Sequence, residues 1–161
     1  MFLLLQVWGG SFILSLSGIV LYYLMGLHSS SMPDSFHAFL SVLLGVLLLL
    51  LYSWLGYTVN DGRTKADKAA LSICSLSFVL ILVNLYLIIV SANNPAVDSE
   101  IYNIFLNLAL WLNACGVLIW GSFGDMAASP AALLLALLPS AFICLGYLVK
   151  SRRMILDKSL E

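Results

Sequence analysis

The most unusual polar pattern in this chain is a set of asparagines. Asn103, Asn107 and Trp111 recur every four residues, so a helix puts them on one face, and Asn113 falls within the same broad sector. An amide offers two N–H donors and a carbonyl acceptor. A row of amides either lines a polar cavity for a neutral ligand or bonds to neighbouring helices or a partner subunit. Asn84, seven residues after Ser77, adds another amide with a hydroxyl on its face. These residues form the predicted ligand-binding or polar-cavity set.

Other constellations are thinner. His28, Asp34 and His37 flank one loop, and two imidazoles with a carboxylate make a weak candidate metal site. No fourth ligand accompanies them, so no metal or other cofactor is expected. Ser41 lies one turn after His37, the spacing of a nucleophile and its base, but every carboxylate lies in a loop or tail. There is no Walker loop, Gly-rich nucleotide turn or HExxH. Cys74, Cys115 and Cys144 form no CxxC and read as small core residues. No catalytic residue is assigned.

The elements that must carry these residues are apolar. No Asp, Glu, Lys or Arg occurs in 1–33, 35–60, 69–97, 101–124 or 126–149. A bilayer core about 30 Å thick needs roughly 20 apolar residues as helix. The chain is 62% hydrophobic and 9% charged, against about 25% charge in soluble domains. The apolar runs are unbroken rather than alternating, which excludes a membrane barrel. The expected fold class is therefore all-α: a single domain over 1–161, an integral membrane bundle of five transmembrane helices. The spans are expected at about 3–25, 36–59, 69–91, 101–121 and 131–149. The alternative is four spans plus one partial crossing. Segment five is then the candidate, because Pro139 interrupts it and deprives the Leu135 carbonyl of its donor. The first segment lacks the basic start and small-residue cleavage site of a signal peptide, so it is expected to be retained.

Small residues four apart let helices approach closely. Ser11, Ser15, Gly18 and Tyr22 form such a stripe on helix one, and Ser41, Gly45, Tyr52 and Gly56 another on helix two. Contact between the two stripes is the expectation. Five crossings put Arg63, Lys65 and Lys68 on the side opposite Lys150, Arg152, Arg153 and Lys158, and three cations against four favour N-out and C-in. If one segment fails to cross, both basic clusters share a side.

The net charge of −1 gives no field for nucleic acid. The leading functional expectation is a small multi-pass protein of a bacterial inner or cell membrane. It would be a non-enzymatic subunit or accessory component of a membrane complex, with the lipid bilayer, further copies of itself or other membrane subunits as partners. A small transporter or channel for a neutral solute is the second reading, and a metal- or cofactor-dependent membrane enzyme the third.

Overall fold

A computed structural model describes residues 2–25, 34–62, 66–93, 100–121 and 131–160. All of the regular structure among them is helical. The elements are α1 (Phe2–Leu24), α2 (Asp34–Val59), α3 (Ala66–Asn93), α4 (Glu100–Leu112), α5 (Ala114–Gly121), α6 (Ala131–Leu135) and α7 (Leu138–Leu160). Four stretches are long and apolar enough to cross a bilayer: Phe2–Leu24, Asp34–Val59, Lys68–Asn93 and Leu133–Asp157. Their outward residues are large and apolar, such as Leu71 and Leu134, each at least 70% exposed, which is the surface that lipid tails cover.

The fourth expected span differs from the sequence reading. It is not one helix over 101–121 but α4 of 13 residues and α5 of 8, interrupted at Asn113. Neither piece is long enough to span alone. The fifth segment is interrupted as well, at Ala136 and Leu137, between α6 and α7. Its cause is local: Pro139 has no N–H to donate to Leu135 and its ring crowds the preceding turn.

α2 is the central helix. α1 runs antiparallel to it, with Gly10 opposite Leu55, Gly18 opposite Leu48 and Tyr22 opposite His37. α7 runs parallel to α2. A Cβ on Gly56 would collide with the Ile143 carbonyl, and one on Gly146 with the Ser53 carbonyl, so the two backbones touch. Beyond Val59, Asn60 Nδ2 donates to Tyr147 O at 2.9 Å and to Ser151 Oγ at 2.8 Å. Gly62, at φ 72°, turns the chain against Met154. Lys150 Nζ lies 5.2 Å from the Tyr57 ring centroid.

These contacts bring the C-terminal helix to the same end of the bundle as the α2–α3 turn. Five complete crossings require opposite ends. The interruption at Asn113 accounts for the difference, because α5 packs on the α1–α2 loop half of α2, with Ile119 and Cys115 against Gly45. The start of α1 is at the α2–α3 end too, where Phe2, Gln6, Asp61 and Lys68 line a shared cleft.

Candidate functional site

The two interruptions face each other. Asn113 is 3% exposed and joins them with a single side chain. Its Nδ2 donates to the Leu135 carbonyl at 3.1 Å, the acceptor that Pro139 leaves without a partner. Its Oδ1 accepts the Gly116 N–H at 3.2 Å, which makes Asn113 the N-cap of α5. The Cys115 thiol points at the same oxygen at 3.4 Å. The backbone stays helical on both sides, with Asn113 N donating to Ala109 O and Val117 N to Asn113 O.

A second chain of buried polar contacts starts one residue later. The Ala114 N–H donates to Ser15 Oγ at 3.5 Å, and Ser15 Oγ lies 2.6 Å from Tyr52 Oη. Tyr52 donates onward to the Ser11 carbonyl at 3.3 Å, and Ser11 Oγ donates to Val7 O at 2.7 Å. With Tyr52 donating to Ser11, Ser15 is the donor to Tyr52, so the contacts run in one direction from α5 through α1 to α2 and back. At bilayer depth an unpaired N–H at a helix break costs several kcal/mol. This network removes that cost at Ala114 as Asn113 does at Leu135.

Next to the network is a cavity of about 180 Å³ between α1, α2 and α5. Ile19, Tyr22, His37, Ser41, Val117 and Leu118 line it with Tyr23 and Ala114. Ser41 is 3% exposed and its Oγ has no hydrogen-bond partner. His37 Nε2 is 3.4 Å from Tyr22 Oη, and the two rings meet edge to face at 6.1 Å. The Ser41 hydroxyl therefore makes no nucleophile–base pair with His37, despite the one-turn spacing.

The predicted amide face is divided. Asn113 is buried at the interruption, whereas Asn107 is exposed and bonds to no described residue. The side chains of Asn103 and Trp111 lie outside the described residues. Asn84 is buried and donates to the carbonyl of Leu80 on its own helix at 2.8 Å, away from Asn113. Of the packing stripes, Ser11, Ser15 and Gly18 meet Tyr52 and Leu48 of α2. Gly45 and Gly56 face α5 and α7 instead of α1, and Ser41 faces the cavity. His28 lies outside the described residues, while Asp34 is exposed and His37 half-buried.

The sequence reading missed Asn60, which ties the α2–α3 turn to α7. Its signal was present as the first residue of an Asn-Asp-Gly turn at a span end, but its partners lie 87 and 91 residues away. The chain matches no protein-family model, no curated protein and no solved structure.

Proposed function

We propose that this multi-pass membrane protein works as a non-enzymatic subunit that assembles with a second copy of itself through the outer face of α4. The observation behind this reading is Asn107. Its amide is exposed on the same side of the helix as Ile104, which is 64% exposed. It lies about 10 Å along α4 from Glu100, beyond the headgroup boundary. A bare amide facing lipid tails is costly. An amide is also self-complementary, because each copy offers the donor and the acceptor that the other needs across a two-fold axis.

A second part of the reading is orientation. The connection bearing Arg63, Lys65 and Lys68 and the tail bearing Lys150, Arg152 and Arg153 share one end of the bundle. Lys and Arg concentrate on cytoplasmic ends. That supports both termini inside, in place of N-out and C-in. Transport of a neutral solute is the lesser reading, since nearly all buried polar atoms at the interruptions are already paired within the chain.

The test is Asn107→Leu in bilayers, followed by the fluorescence energy transfer between labelled copies. Loss of transfer with an unchanged melting temperature is expected. A variant that still self-associates, or a native chain that is monomeric in lipid, refutes the assembly. For orientation, single cysteines at Gly62 and Ile155 should label from one side and one at Ser30 from the other. Labelling of 30 and 155 from the same side would restore five crossings.

A further inference from the structure

We infer that the cavity between α1, α2 and α5 is a binding site for a small neutral phenol, one aromatic ring carrying a hydroxyl. The cavity was described above from its geometry, and neither the proposed assembly face nor the bundle's end-to-end packing uses it. Three observations carry the inference. The first is the orphan hydroxyl: Ser41 Oγ is buried, lines the cavity and has no partner. Serine within a helix ordinarily bonds back to its own preceding turn, as Ser11, Ser17, Ser72 and Ser151 do here. Ser41 does not, so its donor and its acceptor sites are open to a ligand.

The second is the wall. Ile19, Ala114, Val117 and Leu118 supply an apolar floor, while Tyr22 and His37 add two rings set at 88° to each other. Such rings favour another ring in an edge-to-face position. A lipid tail would fill the floor and leave Ser41 unpaired. A water held by Ser41 and the polar atoms of Tyr22 and His37 would leave the apolar floor uncovered. A phenolic hydroxyl both donates and accepts, so it satisfies Ser41 while its ring covers the floor. The third is size. At about 180 Å³ the space is below the roughly 300–1,000 Å³ of drug-sized sites and suits a one-ring molecule.

The experiment uses the full chain in lipid nanodiscs and a photoreactive trifluoromethyl-diazirine phenol, beside the matching compound without the hydroxyl. Cross-linked peptides are mapped by mass spectrometry. The phenol should label 19–23, 37–41 and 114–118 over the lipid-facing sides of α3, and para-ethylphenol should compete. Ser41→Ala should reduce that labelling about fivefold, the ratio that one net hydrogen bond of about 1 kcal/mol supports, with no effect on the hydroxyl-free compound. Val117→Phe, which fills the space from α5, should remove it for both and gives the same answer if Ser41→Ala folds poorly. Equal labelling by both compounds, labelling spread evenly over lipid-facing residues, or labelling indifferent to both substitutions would mean simple partition into the bilayer and would overturn the site.

Discussion

The two halves of α2 are packed by opposite means. In its C-terminal half α7 lies backbone against backbone, with Gly56 and Gly146 each set against a carbonyl of the other helix. In its N-terminal half the neighbour is the short α5. There a Cβ added to Gly45 would lie 2.6 Å from the Ile119 side chain and 3.2 Å from the Cys115 carbonyl, and a cavity opens beside it. Uninterrupted helices with matched small residues can close the gap between them completely, because neither has backbone groups to satisfy elsewhere. Interrupted helices must hold their free N–H and C=O groups with side chains, and the polar atoms and spacing this needs leave room behind. The difference separates a structural half from a half able to admit a ligand.

The strongest way to break the comparison is at Gly146. Gly146→Leu puts a branched side chain where the Ser53 carbonyl and Tyr57 amide already lie, and α7 must separate from α2. Overpacking of this kind should cost at least about 3 kcal/mol, seen as loss of monodisperse protein and of the thermal transition in detergent. Gly45→Leu should do less, because its nearest neighbour is the Ile119 side chain rather than backbone. Gly9→Leu should do nothing, since no atom lies within 4 Å of its Cβ position. Equal damage at Gly45 and Gly146 would erase the distinction between the halves.

The next effect belongs to Asn113. Asn113→Leu strips the Leu135 carbonyl of its donor and α5 of its cap, which should cost about 2–3 kcal/mol in unfolding titrations. Asn113→Asp keeps the cap acceptor but sets a buried carboxylate against the Leu135 carbonyl, and should cost at least as much as the leucine variant. If both variants match the native chain, the interruptions do not depend on this side chain. Tyr52→Phe is the mildest test. It removes the hydroxyl between Ser15 and Ser11 while keeping the ring, for about 0.6–1 kcal/mol. An effect as large as that of Asn113→Leu would mean that the α1–α2 network, not the Asn113 bridge, holds the interrupted half.

How much of this was legible in the sequence varies by region. The charge-free runs mark membrane-length helices without reference to any contact, because a bilayer selects on length and apolarity alone. The orphan Leu135 carbonyl also follows from Pro139 and chain geometry. What supplies its partner does not, since Asn113 is 22 residues away and local spacing assigns it only to a sector with Asn103 and Asn107. The small-residue stripe on α2 was visible too, but a stripe records that something comes close, not which helix. Hence Gly45 and Gly56 could be read against α1 when they meet α5 and α7.

The number of crossings shows the same boundary most plainly. By itself the sequence determined that this chain lives in a bilayer as helices, with its cations gathered in one connection and one tail. Hydropathy over 101–121 cannot distinguish an unbroken span from two half-length helices, because both need the same apolar residues. Only the tertiary structure decided between them. A helix can be cut at Asn113 only where the freed N–H groups find acceptors, here Ser15 Oγ and Asn113 Oδ1, and folding also brings the Leu135 carbonyl before Pro139 to the Asn113 amide that pairs it.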